Sequence, residues 1–300
     1  MTDKDKYEGH LALLVANVSW GLMAPFLKDL LNGGAVSTMA LSGFRIIGGA
    51  ILFWIISLLF PFGSNEKIEK KDFFHLILAS LLVIGLNQVL IIIGMKYTSP
   101  VDASVVCSLT PIFTLLFGAI IIGTAFSWTK ALGVAIGLSG ALLLIFTGEE
   151  NASIHVQNPL LGNALCLLAQ VCGALYLVCF RRLIIKYSII TLMKWMFLIS
   201  AIAVTPFTIT DIMQVDYNAL TQFEVLDLAF IIIFGTCVAY MLIPLAQRSV
   251  EPTVIAMYNY LQPIVAVVFS VCAGLAVLSG MNILATGLVF IGVYIVGKGK

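Results

Sequence analysis

Apolar residues along this chain run in long blocks broken by short polar connections. The blocks fall near 9–31, 36–60, 73–94, 101–123, 129–147, 159–180, 189–209, 225–247, 252–275 and 278–297. Each is close to the about 20 residues that an α-helix needs to cross the ~30 Å hydrocarbon layer. The blocks show no period-2 alternation of polar and apolar residues, and in lipid each segment must satisfy its own backbone hydrogen bonds. The pattern therefore predicts an all-α integral membrane protein with ten transmembrane helices rather than a barrel. Lys96–Pro100 and Arg248–Glu251 are short enough to demand tight antiparallel turns. The apolar run Leu11–Leu27 exceeds a usual signal-peptide core and reads as an uncleaved first span.

Charge gives these spans an orientation, because short loops rich in Lys and Arg stay cytoplasmic. With the N-terminus inside, the interior receives Lys4, Lys6, Lys67, Lys70, Lys71, Lys130, Arg181, Arg182, Lys186, Arg248, Lys298 and Lys300. Only Lys28 and Lys96 fall outside, and Arg45 and Lys194 lie within spans. Both termini are expected in the cytoplasm. The connections Gly148–Asn158 and Thr210–Glu224 carry Glu149, Glu150, Asp211 and Asp216 without Lys or Arg, as external loops should.

The chain also resembles itself. A shift of 152 superposes Pro100 on Pro252, Leu109 on Leu261, Pro111-Ile112 on Pro263-Ile264, Ser127 on Ser279, Leu132 on Leu284 and Gly140 on Gly292. A shift of 150 places Gly85 on Gly235, and one of 149 places Arg45 on Lys194. The expected units are two five-helix repeats, 9–147 and 159–297. An odd span count forces the copies into opposite orientations, an arrangement that places a substrate site near the bilayer midplane.

Several stretches carry a resemblance to a known family. They are Asn17-Val-Ser-Trp-Gly21, Phe44-Arg45, Gly94-Met-Lys-Tyr-Thr-Ser99 and Leu109-Thr-Pro-Ile112, then Gly235-Thr236, Tyr240, Tyr260-Leu-Gln-Pro263, Ser279, Gly287 and Gly292. In this order the chain, from about residue 10 to 297, resembles the EamA-type transporters of the drug/metabolite transporter superfamily. The resemblance implies a ten-span secondary transporter that exports a small organic metabolite, with amino acids the leading class. The family often has a glutamate shortly before the Ser that opens the fifth helix of each repeat; here those positions read Thr124 and Ala276.

Composition narrows the chemistry. With 61% hydrophobic and 10% charged residues, the chain is far from the 45–50% and about 25% of soluble proteins. A net charge of +1 without a dense basic run excludes a nucleic-acid partner. The six cysteines sit in apolar stretches without a CxxC, and His10, His75 and His155 lack ligand spacing, so no metal or cofactor is expected. Gly133 and Gly137, four apart, read as close helix packing.

Polar side chains at membrane depth are costly and face the bundle interior or a wet cavity, which makes them the candidate substrate contacts. They are Asn17 and Trp20 in span 1, Asn87 and Gln88 in span 3, Thr110 in span 4, Gln170 and Tyr176 in span 6, Tyr240 in span 8, and Tyr258, Asn259 and Gln262 in span 9. Interhelical hydrogen bonding is the competing role for the amides, back-bonding to the helix for Ser104 and Ser108, and simple packing for Trp20 and Tyr240. Pro263 frees a backbone carbonyl one turn back. Arg45, nine or ten residues into span 2, reads as a structural anchor, with contact to an anionic substrate group as the alternative. Lys194, nearer a span end, is expected to snorkel. No Asp or Glu falls in the middle of a span; Asp102, Glu224, Asp227 and Glu251 all stand in first turns of helices. A facilitator or exchanger without a carboxylate proton carrier follows.

Other classes fit less well. A nucleotide-sugar or sugar-phosphate exchanger would need several inward cations near the midplane, where only Arg45 lies. An intramembrane enzyme would need a motif such as GxSxG or HExxH, and neither occurs. A receptor would need longer loops. Short loops and the lack of a targeting segment fit a bacterial inner membrane. The sequence leaves the oligomeric state open.

Overall fold

The computed structural model describes residues 3–32, 34–60, 66–97, 106, 108–123, 127–147, 158–272 and 280–298. Ser104, Cys107, Thr124 and Ala276 lie outside them. Ten helices follow in order among the described residues: α1 (Asp3–Asn32), α2 (Thr38–Leu59), α3 (70–97), α4 (Thr110–Ile122) and α5 (Trp128–Thr147), then α6 (Pro159–Cys179), α7 (Ile189–Met213), α8 (Gln222–Gln247), α9 (252–272) and α10 (Gly280–Lys298). A six-residue helix, Arg181–Lys186, joins α6 to α7. No strand occurs among the described residues. By length and composition, α2, α6, α7, α8 and residues Lys70–Gly94 of α3 can each cross a membrane. The described apolar parts of α4, α5 and α10 are shorter.

Local chemistry explains most of the helix starts. Ser37 begins α2 and Ser188 begins α7, each side chain accepting from the backbone N–H three residues on. These two serines are repeat equivalents, 151 positions apart. Thr221 and Glu224 form a capping box on α8, and Asn158 caps α6 ahead of Pro159. The fourth span was expected from residue 101; residues 101–105 lie outside the described set, Ser108 and Leu109 form a turn, and α4 starts at Thr110. Pro111 fits that first turn because its missing N–H would have no partner there.

Helices α3 and α8 share a further device. Each widens to a π turn, over Leu81–Leu86 in α3 and Ile233–Val238 in α8. The two turns are 152 residues apart at both ends, matching the offset of the sequence repeat. A π turn leaves carbonyls out of the regular ladder and is frequent at functional positions. In α9 the helix instead tightens to a 3₁₀ turn over Tyr258–Tyr260, one turn before Pro263. That proline cannot donate to the Asn259 carbonyl.

Packing between the repeats is two-fold. Second helix meets second helix (α2 with α7) and fifth meets fifth (α5 with α10). α1 lies against α8 and α9, the third and fourth helices of the other repeat, and α6 lies correspondingly against α3 and α4. This exchange is what two inverted five-helix repeats produce. The α5–α10 contact is nearly backbone to backbone. A Cβ added at Gly292 would stand 2.6 Å from Gly137 Cα, and one at Gly140 would stand 2.7 Å from the Ala285 carbonyl. Gly133 belongs to the same crossing, 2.9 Å from Gly292 O by the same measure. Helices in lipid associate by such close packing because apolar surface alone gives no preference for protein over lipid. Leu58, Ile202, Phe207, Ile283 and Phe290 are exposed on the outside, where acyl chains would cover them.

Candidate functional site

At the centre of the bundle, the candidate side chains fall into two adjoining groups. In the first, Gln88 of α3 donates from Nε2 to the Tyr240 hydroxyl of α8 at 2.9 Å. Tyr240 packs edge-on to Trp20 of α1 and to Phe197 of α7, with ring centroids 5.8 Å and 5.4 Å away. The Trp20 indole N–H donates to the Gly235 carbonyl of the α8 π turn at 2.9 Å. The Tyr240 hydroxyl lies 3.5 Å from the Val83 carbonyl of the α3 π turn. Both π turns thus supply acceptors at the place where the repeats meet. Gln88 Oε1 is buried and has no hydrogen-bond partner.

The second group is an amide cluster. Gln262 of α9 donates from Nε2 to Asn17 Oδ1 of α1 at 3.0 Å and lies 3.5 Å from Asn259 Oδ1. Asn17 in turn donates to the Leu13 carbonyl of its own helix at 2.9 Å. This cluster has a counterpart in the other half, where the Thr110 hydroxyl of α4 donates to Gln170 Oε1 of α6 at 2.7 Å. Thr110 and Gln262 are 152 residues apart, and Asn17 and Gln170 are 153 apart. In each half, a fourth helix therefore bonds to the first helix of the opposite repeat through equivalent positions.

The other candidates lie apart from these contacts. Asn87 donates to the Ala169 carbonyl of α6 at 2.7 Å, an interhelical bond. Tyr176 is buried and stacks on Phe180. Tyr258 stands in the 3₁₀ turn of α9, and its hydroxyl lies 2.9 Å from His10 Nδ1 of α1, two helical turns from Asn17.

Two buried cations stand on the paired helices α2 and α7, Arg45 eight residues past the Ser37 cap and Lys194 six past the Ser188 cap. Arg45 is 7% exposed and donates from Nε to Thr236 Oγ1 at 3.1 Å. Lys194 was expected to snorkel; it is only 4% exposed, donating to Ser57 Oγ at 2.9 Å beneath the Trp54 ring. Thr236, Phe197 and His10 were not singled out as contacts from the sequence. For Thr236 one signal was legible, its place beside Gly235 in the third helix of the second repeat. Phe197 and His10 carried none, since their partners come from distant helices. Among the described residues no three of His, Cys, Asp or Glu gather as a metal site.

The end of the bundle that carries both termini is tied across the repeats by charge. Lys186 Nζ lies 2.6 Å from both Glu69 Oε1 and Asp72 Oδ2, and the Tyr187 hydroxyl donates to Asp72 Oδ2 at 2.7 Å. The Ser188 N–H donates to Glu66 Oε2 at 2.7 Å, and Arg248 Nη2 donates to the Tyr187 carbonyl at 2.6 Å. Hydrogen bonds from Lys186 and then Lys71 hold the Glu69 carboxyl below its ordinary value. Asp72 first, and Glu69 next, push the Lys186 ammonium up. A hollow of about 440 Å³ lined by Glu66, Lys67, Ile68, Phe73, Lys194 and Trp195 lies beside this network, away from the Gln88–Tyr240 contact.

Known proteins share this architecture. A crystal structure superposes with a TM-score of 0.79 over 99% of this chain and 98% of its own, at 17% identity, which establishes the shared fold. A protein of Archaeoglobus fulgidus named as an uncharacterized transporter is 25% identical over 95% of this chain and 97% of its own length. YedA of Escherichia coli, named as an uncharacterized inner membrane transporter, is 23% identical over 96% and 90%. YyaM of Bacillus subtilis, named as an uncharacterized transporter, is 23% identical over 82% and 80%. The sequence model of the EamA-like transporter family matches residues 8–146 and again 160–298. With the ten-helix bundle and its two-fold packing, those matches make the chain a member of the EamA-like transporter family of membrane proteins.

Proposed function

We propose that this protein is a secondary transporter that exports a small organic metabolite, an amino acid or an amphipathic drug-like compound, by alternating access. One observation carries the reading: the polar side chains at the repeat interface bond through equivalent positions, Thr110 with Gln170 and Gln262 with Asn17. Such bonds can be exchanged when one repeat rocks against the other, so that access alternates around a fixed centre. Trp20, Gln88 and Tyr240 line that centre with ring faces and hydrogen-bonding groups, a wall suited to an amphipathic cargo. Asn17, Asn87, Thr110, Gln170, Tyr176, Tyr258, Asn259 and Gln262 complete the proposed binding set. The chain has no catalytic role in this reading and needs no cofactor.

Positive residues gather at the end that carries both termini, which supports placing that end in the cytoplasm of a bacterial inner membrane. In this reading the ties of Lys186 to Glu69 and Asp72 lie on the cytoplasmic side. Without a carboxylate in the middle of a span, the driving force is the gradient of the cargo itself. Purified protein in liposomes, given a panel of radiolabelled amino acids, drugs and nucleotide sugars with and without a pH gradient, tests this. Gradient-independent uptake of an amino acid or drug is expected. Uptake of phosphorylated compounds alone, or strict dependence on the pH gradient, overturns it.

A further inference from the structure

The hollow at the terminal end of the bundle lies apart from the proposed centre and has a chemistry of its own. Glu66, Lys67 and Ile68, from the connection between α2 and α3, wall it together with Phe73 of the first turn of α3 and Lys194 and Trp195 of α7. Its volume of about 440 Å³ falls within the about 300–1,000 Å³ of small-molecule sites. Lys194 stands six residues past the Ser188 cap, about 9 Å along α7 at the rise of an α-helix. Exposed apolar side chains stand on either side of the connection in the chain, Leu58, Leu59 and Phe60 before it and Phe73 and Phe74 after it. In a membrane protein such side chains face acyl chains, so the hollow sits where lipid tails give way to headgroups.

Paired indoles mark the same level. Trp54 of α2 packs edge-on to Trp195 at 5.6 Å between ring centroids, and its Nε1 is buried without an acceptor among the described residues. Tryptophan collects at the membrane–water boundary because its ring is apolar and its N–H seeks a polar partner. Lys194 Nζ donates to Ser57 Oγ at 2.9 Å and lies 5.3 Å from the Trp54 ring centroid. Lys67 is exposed and forms no ion pair among the described residues. The opposing charge in the wall is Glu66, whose Oε2 accepts from the Ser188 N–H at 2.7 Å, where the start of α7 offsets it. Two ammonium groups against one carboxylate leave the wall with a single net positive charge.

We infer that this hollow is a site for the phosphodiester headgroup of an anionic phospholipid. A phosphodiester carries one negative charge, equal and opposite to that of the wall, whereas a zwitterionic headgroup brings no net charge to it. Its oxygens accept from the Lys67 and Lys194 ammonium groups, and basic pockets at the ends of membrane helices hold headgroups in this way. Ile68, Phe73 and Trp195 supply apolar wall for the glycerol and the start of the acyl chains, which a free phosphate would leave uncovered. Lys67 belongs to the first repeat and Lys194 to the second, so the lipid links the repeats beside the ties of Lys186 to Glu69 and Asp72. The inference needs only that the chain spans a membrane and is independent of the cargo.

The test uses full-length protein purified in neutral detergent and stripped of lipid. Phosphatidylglycerol or phosphatidylcholine is added back in mixed micelles, and glycerol 3-phosphate is added to separate samples. Thermal unfolding and the phospholipid retained after gel filtration read binding. Wild type is expected to retain phosphatidylglycerol saturably and to be stabilised by it, with little response to phosphatidylcholine or glycerol 3-phosphate. Lys67→Gln and Lys194→Gln should each weaken the phosphatidylglycerol response about five-fold, the equivalent of about 1 kcal/mol for a basic residue near anionic lipid. Glu66→Gln, which removes the opposing charge, should strengthen it. Lys298→Gln removes a charge from the far end of α10 and should leave it unchanged. Equal responses to the two lipids, or a loss in Lys298→Gln as large as in Lys67→Gln, overturn the site. A response to glycerol 3-phosphate as strong as to phosphatidylglycerol overturns the lipid in favour of a soluble phosphate. If the buried Lys194→Gln does not fold, the exposed Lys67→Gln must weaken the response by itself for the inference to survive.

Discussion

Gly292→Ala provides a direct measure of how the two repeats are held together. Its new Cβ would lie 2.6 Å from Gly137 Cα and 2.7 Å from Gly133 O, and both are backbone atoms that no rotamer change can move. Carbon atoms settle at about 3.5–4.0 Å, so α5 and α10 must separate by about 1 Å, a gap that forfeits a quarter to a half of each contact along the crossing. Overpacking of this kind costs about 1–3 kcal/mol. The intrinsic helix preference of Ala over Gly, about 0.8–1.0 kcal/mol, offsets part of it. Gly287→Ala is the internal control, on the same helix with nothing within 4 Å of its Cβ. It carries the same helix gain without the clash, so the gain cancels and the two variants should differ by the clash alone, about 1–3 kcal/mol. Reversible unfolding in mixed detergent micelles, with both variants run beside wild type, measures that difference. Equal stability for the two would show that α5 and α10 do not approach as closely as described here.

Further outcomes follow from the contacts between repeats. A double-mutant cycle on Asn17 and Gln262 should give a coupling of about 0.6–1.7 kcal/mol, and the equivalent cycle on Thr110 and Gln170 a similar value; zero coupling in both refutes the paired bonds. Gln262→Ala and Asn259→Ala should impair uptake while membrane insertion stays normal, and full transport by both would remove the α9 amides from the site. Tyr240→Phe takes the partner from a buried amide and should cost about 1–3 kcal/mol of stability, read by the same unfolding assay. For the ties at the terminal end, the depressed Glu69 carboxyl contributes above its ordinary value of about 4.3 and loses that contribution as pH falls through its lower folded value. The raised Lys186 contributes below its ordinary value of about 10.4 and loses this as pH rises through its higher folded value. The stability carried by these ties, read by the same unfolding assay on wild type against Lys186→Met, should therefore be insensitive to pH between 5 and 9 and fall only in strong acid or base, with high salt lowering it throughout. A midpoint near neutrality would contradict the assignment.

Much of this was legible along the chain because hydrophobic blocks of helical length and an offset of 152 residues are properties of sequence alone. The ten spans, the two repeats and the depth of Arg45 follow from them, and the bundle and family matches bear out the ten-span, two-repeat architecture. The amides were recognisable too, since a polar side chain in lipid must find a partner. Their partners were not. A helix that is apolar all round carries no amphipathic stripe to mark its inner face, so Trp20 could not be assigned to the Gly235 carbonyl, nor Arg45 to Thr236, before α1, α2 and α8 were placed side by side. The 3₁₀ turn over Tyr258–Tyr260 is three residues long, below the reach of periodicity. The paired π turns likewise leave no mark in a run such as Leu-Leu-Val-Ile-Gly-Leu. Sequence determined which residues must be inside the membrane and that they come in two related sets. Only the tertiary structure decided which of them meet, because those partners are supplied by helices of the opposite repeat.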